Sequence, residues 1–136
     1  MDEIIYHSDR KITADEFIDV LQRSTLAERR PVHDRSRIEK MLAYGNVLVT
    51  AWHGNLLVGV SRALTDFSYC CYLSDLAVDQ AYQHKGIGKE LIRVTHEVAG
   101  KDENTLLLLA APLAKDYYPK IGMDRFTDCF IIKRKH

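Results

Sequence analysis

Leu76-Ala77-Val78-Asp79-Gln80-Ala81-Tyr82-Gln83-His84-Lys85-Gly86-Ile87-Gly88-Lys89 decides how this chain is read. It joins the end of a strand-like run, Tyr72-Leu73-Ser74-Asp75-Leu76-Ala77-Val78, to an amphipathic helix that contains Lys89, Leu91, Ile92, Thr95 and Val98. Glycines at 86 and 88 sit where strand gives way to helix. There they let backbone N–H groups close on phosphate oxygens at the positive end of the helix dipole. A phosphate-bearing cofactor is one implication, and a tight turn serving only chain geometry is the other.

Working outward, Gly100 ends the helix, and Thr105-Leu106-Leu107-Leu108-Leu109-Ala110 follows without polar alternation, as in a central strand buried on both faces. Strand, helix and strand in this order imply a right-handed parallel crossover. Upstream, Val47–Trp52 and Leu56–Leu64 flank a His53-Gly54-Asn55 turn and read as a hairpin. Residues 3–7 read as a short strand. Thr13-Ala14-Asp15-Glu16 has capping-box spacing, and Phe17, Val20 and Leu21 continue at helical intervals. Ile38, Met41 and Leu42 form the stripe of a second helix ending near Gly45. Downstream, Pro112 opens a last helix toward Tyr118, and residues 125–133 supply a closing strand. The expected class is α/β, a sheet of mixed and mainly antiparallel direction with one β-α-β parallel crossover and helices on both faces.

A chain of 136 residues suits one domain spanning 1–136. Its 19 basic and 19 acidic side chains give no global field of the kind a nucleic-acid binder or a polybasic membrane protein displays. The first residues lack a basic segment followed by an apolar core, and no apolar run approaches the ~20 residues of a membrane span. A cytoplasmic location is expected. The cysteines are Cys70, Cys71 and Cys129, an odd set with an adjacent pair, which suits free thiols. Six histidines show no metal-ligand spacing with the cysteines or with one another, so no metal is expected.

Residues 76–91 resemble the signature of the GNAT superfamily of acyl-CoA-dependent N-acetyltransferases, a Gln/Arg-x-x-Gly-x-Gly/Ala loop between a strand and a helix. A second segment, Ala114-Lys115-Asp116-Tyr117-Tyr118-Pro119-Lys120-Ile121-Gly122-Met123, resembles that family's Ala-x-x-aromatic-Tyr-x-x-x-Gly-hydrophobic motif. Two motifs in order, one helix and one strand apart, are far more specific than either alone.

The resemblance implies acetyl-CoA as co-substrate. The pyrophosphate would meet backbone amides of Gln83, His84, Lys85, Gly86, Ile87, Gly88 and Lys89. The pantetheine arm would pair with the main chain of Leu76, Ala77 and Val78 like an added strand. Tyr118 matches the tyrosine that protonates the departing thiolate, and Tyr117 would pack on the cofactor. Asp75 is the nearest carboxylate by sequence and is the candidate base, with a hydrogen-bonding role in a bulge or cap as the alternative. Two positions depart from the family pattern. Ala111 stands where many members carry asparagine, and Pro119 directly after Tyr118 disfavours helical geometry at that tyrosine.

The expected acceptor is a primary amine of a metabolite or protein, with a homodimer as a family-level expectation and neither nucleic acid nor membrane as partner. A coenzyme-A-binding regulatory module with little catalysis is the competing function. Arg23, Arg29, Arg30, Arg35 and Arg37 would border the acceptor, either attracting an acidic group or forming a solvated face. Arg62, Asp66, Phe67 and Tyr69 lie toward the other side of the cleft.

Overall fold

The computed structural model describes residues 3–136, so Met1 and Asp2, where the leader was sought, lie outside the described residues. Five strands form one sheet in the order β1 (Ile4–His7), β2 (Val47–His53), β3 (Leu56–Thr65), β4 (Cys70–Val78) and β5 (Thr105–Leu107). The first three junctions are antiparallel, and β4 runs parallel to β5. The parallel pair is possible because α3 (Ile87–Ala99) carries the chain back between them.

Helices cover both sheet faces, as the apolar pattern requires. Ile87, Leu91, Thr95 and Ala99 recur every fourth residue and form the buried side of α3. They pack with Val47, Val49, Val58, Ala63, Cys71 and Leu73. On the opposite face, α1 (Ala14–Ser24) and α2 (Arg35–Tyr44) bury Phe17, Val20, Leu21 and Ile38 against Trp52, Leu57, Val60 and Ala77. The capping box forms as the spacing predicts: Glu16 N–H donates to Thr13 Oγ1 at 3.1 Å, and Thr13 N–H donates to Glu16 Oε1 at 2.9 Å. Asp34 caps α2 through the Arg37 amide.

One irregularity positions everything that follows. Arg62 pairs with Asp75 but Ala63 pairs with Leu73, so Ser74 is an extra residue bulging from β4. Inserting one residue reverses which side chains face which layer. Cys71 and Leu73 point into the α3 core, whereas Ala77 joins the α1 and α2 core.

The structure departs from the sequence expectations in the last quarter of the chain. The apolar run after Thr105 yields only three strand residues at the sheet edge, with Leu107 and Leu109 exposed, so it is no strand buried on both faces. Without a neighbour beyond β5, half its surface stays open to solvent. Pro112–Ala114 is a 3-10 turn, and the last helix is the short α4 (Tyr117–Lys120). Pro119 lies in that helix's first turn, where a missing N–H breaks no intrahelical bond, so Tyr118 is helical despite preceding a proline. The expected closing strand over residues 125–133 is absent. Phe126, Phe130, Ile131 and Ile132 are exposed, and strand-forming side chains alone do not make a strand without an edge to pair with.

Because Phe17 and Leu91 serve opposite faces, their losses should be separable. Phe17→Ala should cost about 3–5 kcal/mol and Leu91→Ala about 2–5 kcal/mol. In urea denaturation the double variant should equal the sum to within about 0.5 kcal/mol.

Candidate active site

The loop after β4 is assembled from three local devices. Asp79 accepts from Ala81 N–H at 2.8 Å and so starts a 3-10 turn at Gln80–Tyr82. Gln83 folds back, its Nε2 donating to the Val78 carbonyl at 3.1 Å. Tyr82 is held from behind by His53, whose Nδ1 lies 2.6 Å from the phenol oxygen. The chain then passes through left-handed geometry at His84 (φ 65°) and Gly86 (φ 82°).

Gly86 is the N-cap of α3 and provides no side chain to cap it. The first backbone bond of the helix runs from Glu90 N–H to the Gly86 carbonyl, so the amides of Ile87, Gly88 and Lys89 have no partner within the helix. Of these, the Ile87 and Gly88 amides, at the positive end of a helix of 13 residues, form a ready anion site, and that of Lys89 turns to the Tyr117 hydroxyl. Lys85 stands at its rim, its Nζ 5.5 Å from the Tyr82 ring centre.

Tyr117 ties the second motif to the first. Its hydroxyl accepts from the Lys89 amide, and a Cβ built on Gly88 would lie only 2.8 Å from that oxygen. A side chain at 88 would therefore oblige the Tyr117 hydroxyl to move. The Tyr118 ring meets that of Tyr117 edge-on, with centroids 5.2 Å apart. Burial raises the Tyr118 phenol pKa, and the neighbouring Tyr117 adds to the shift. A phenol pushed upward stays protonated and able to donate across the neutral range.

Beside this loop lies an unfilled backbone edge. β5 pairs with β4 only at Cys70, Cys71 and Tyr72, whereas β4 continues to Val78. From the bulge onward the two parallel strands part. Leu76, Ala77 and Val78 pair with β3 on one side; no strand pairs with their other side, where the Val78 carbonyl accepts from Gln83 Nε2.

Asp75 sits at the head of this segment, fully buried. Arg30 Nε donates to one carboxylate oxygen and Arg62 Nε to the other. Arg30 also donates to the Ser74 carbonyl at 2.7 Å, and Arg62 to Ser74 Oγ and the Met41 carbonyl at 3.0 Å each. A fully buried carboxylate with a guanidinium on each oxygen has no open path to an incoming ammonium. The geometry favours the bulge-holding alternative over proton abstraction.

The arginine cluster is largely paired. Arg23 donates to Asp79 at 2.5 Å and Asp19 at 3.0 Å, Arg35 binds Asp15, and Arg37 reaches the His136 carbonyl at 3.0 Å. The partners of Arg23 and Arg30 at positions 79 and 75 are 56 and 45 residues away, so spacing could not disclose them. Two aspartates four apart at a strand end, Asp75 and Asp79, were the available signal. Asp66 is occupied by its own turn: amides of Ser68, Tyr69 and Cys70 donate to it and hold its pKa at about 2. Cys71 is buried, and desolvation raises its thiol pKa, the opposite of what a nucleophilic thiolate needs. Among the described residues, no His, Cys, Asp and Glu group of three or more could hold a metal ion, and no helix is long and apolar enough to cross a membrane.

Comparison with known proteins bears on this arrangement as a whole. A probable acetyltransferase from meticillin-resistant Staphylococcus aureus superposes with a TM-score of 0.79 at 20% identity, covering 98% of this chain and 100% of the other. The aminoglycoside N-acetyltransferase AAC(6')-Iy, solved with CoA, superposes with a TM-score of 0.76 at 12% identity over 100% and 97% of the two chains. By sequence, GCN5-related N-acetyltransferase 2 of Arabidopsis thaliana, described as chloroplastic, is 29% identical over 69 residues, 50% of this chain and 27% of that protein. This chain matches only 27% to 37% of the length of such curated relatives. The Acetyltransferase (GNAT) domain profile matches residues 14–130, which takes in the anion loop, the parted strands and both tyrosines. The chain belongs to the GNAT acetyltransferase family.

Proposed function

We propose that the chain transfers an acetyl group from acetyl-CoA to a primary amine by direct attack on the thioester. The observation that carries this is the junction of a strand edge at Leu76–Val78 that no strand pairs with and the N-terminus of α3, whose Ile87 and Gly88 amides have no partner in the helix; together they suit a chain of amides ending in a pyrophosphate. A relative of the same fold, AAC(6')-Iy, was solved with CoA. Backbone amides of residues 84–88 bind the pyrophosphate, with Lys85 adding charge from the rim; those of Gln83 and Lys89 are engaged by the Gln80 carbonyl and the Tyr117 hydroxyl. The main chain of Leu76, Ala77 and Val78 aligns the pantetheine arm.

The amine nitrogen bonds to the acetyl carbonyl carbon, and the carbonyl oxygen takes up negative charge near a backbone donor of residues 76–78. As the carbon–sulfur bond breaks, the Tyr118 hydroxyl gives its proton to the thiolate, and the proton that the acylated nitrogen sheds to become an amide passes through solvent and restores the tyrosine hydroxyl. Because the fold raises the Tyr118 pKa, this donation fails only when pH rises above the ordinary phenol value of about 10. Asp75 serves the bulge, and an acceptor reaching the site as free amine requires no carboxylate base.

Acetyl-CoA, but neither ATP nor NAD, should stabilise the protein, by about 2.7 kcal/mol at a hundred times its Kd. Release of free coenzyme A with a panel of aminoglycosides, polyamines and lysine peptides should identify the acceptor; binding without release from any amine would favour the regulatory module. Tyr118→Phe should lower kcat by about 10²–10⁴-fold with little change in coenzyme affinity. Unchanged turnover would remove this tyrosine from the reaction. Gly88→Ala should weaken coenzyme A binding by roughly tenfold, since the new Cβ collides with the Tyr117 hydroxyl. Adding Tyr117→Phe should restore part of that loss in calorimetric titration, because the next Tyr117 atom lies at an ordinary 3.5 Å contact.

A further inference from the structure

The segment that offers its open edge, Asp75–Val78 and the following Asp79, is bounded by two buried acids, and each is grasped by an arginine from the α1 side of the molecule. Arg23, in the last turn of α1, donates to Asp79 at 2.5 Å and to the Leu57 carbonyl at 2.6 Å. Arg30, in the connection between α1 and α2, donates to Asp75 and to the Ser74 carbonyl. Both guanidiniums thus bond a carboxylate and a main-chain carbonyl at once, a two-pronged grip that fixes backbone position as well as charge.

Strand residues 76–78 need such support. They lie between a bulge, which interrupts pairing with β3, and a 3-10 turn that ends the strand, and their other edge has lost β5. A stretch of three residues with one ladder is among the weakest parts of a sheet. The same grip reaches both halves of the donor site. Asp79 starts the turn leading to the anion loop, while Asp75 and Ser74 set the bulge that opens the edge.

Resting on the donor assignment above, we propose that Arg23 and Arg30 are positioning residues for the donor: their pairs with Asp79 and Asp75 clamp the two ends of the 75–79 segment and hold its free edge and the anion loop in fixed relation. Neither arginine touches the donor. Because both arise from the α1 region, the clamp also fixes the helices that wall the acceptor side relative to the strand that holds the thioester.

The test uses coenzyme A itself as probe, titrated calorimetrically into the full chain. Arg23→Met and Arg30→Met keep the aliphatic stems and should each weaken coenzyme A binding by about tenfold or more. Arg23→Lys and Arg30→Lys, which retain the charge but not the fork, should lie between these and the parent. Arg35→Met, which breaks the exposed pair with Asp15, should bind as the parent does. Amide exchange should quicken at residues 76–78 in the Met variants while the β2 and β3 core stays protected, a local signature that a general loss of stability would not give.

Parent-like affinity together with parent-like exchange at 76–78 in folded Met variants would overturn the clamp. If a Met variant does not fold, its Lys counterpart is judged by the same two readouts. A parent protein that fails to bind coenzyme A would instead overturn the donor assignment, an outcome distinct from a parent that binds while its variants bind equally well.

Discussion

A carboxylate taken wholly out of water in the middle of a sheet sets the terms for the rest of this structure. Asp75 is buried at 0% exposure and answered by two guanidiniums, one from the neighbouring strand and one from a connection 45 residues upstream. Burying an ion costs several kcal/mol, and the cost is offset only when its partners and geometry are complete. Removing either arginine would leave one buried carboxylate oxygen without its donor. The bulge at Ser74 brings this carboxylate to the α1 and α2 face, so strand irregularity and ion cluster stand or fall together. From there the consequences run in both directions, to the parting of β4 from β5 and to the packing of the helices that cover the other side.

Much of the fold was legible because local signals and global structure agreed. The capping box at Thr13, the hairpin around Gly54 and the glycine at the end of α3 each need only neighbours within a few residues, and each appears as the spacing predicts; the buried side of α3 runs through Ile87 and Ala99 and leaves Val98 exposed. The failures share a different cause. Leu106 to Leu109 carry the composition of a central strand, but whether a strand is central depends on what lies beyond its edge. Phe130, Ile131 and Ile132 favour extended pairing, yet side-chain preference alone cannot supply a ladder.

The candidate site divides along the same line. Its glycine loop and paired tyrosines were readable as motifs, since the first needs a set backbone shape and the second a set helix position. The role of Asp75 was not. Its proximity in sequence to the donor segment made it the natural choice for a base, and only its distant partners at 30 and 62 show both oxygens already engaged. The arginines were visible as a basic group, but a charge pattern along the chain does not disclose which carboxylates neutralise it. Family membership follows from the GNAT domain match over residues 14–130, while the acceptor depends on surface chemistry that differs among proteins of one fold.

The contact between Gly88 and the Tyr117 hydroxyl carries an evolutionary consequence. These positions lie 29 residues apart in the chain but compete for one small volume at the head of α3. A larger residue at 88 becomes admissible only after the side chain at 117 has shortened or swung aside, so the order in which substitutions are accepted is constrained. Among descendants of this sequence, the two motifs should drift as a coupled pair, and the size of one residue should be a guide to the size of the other.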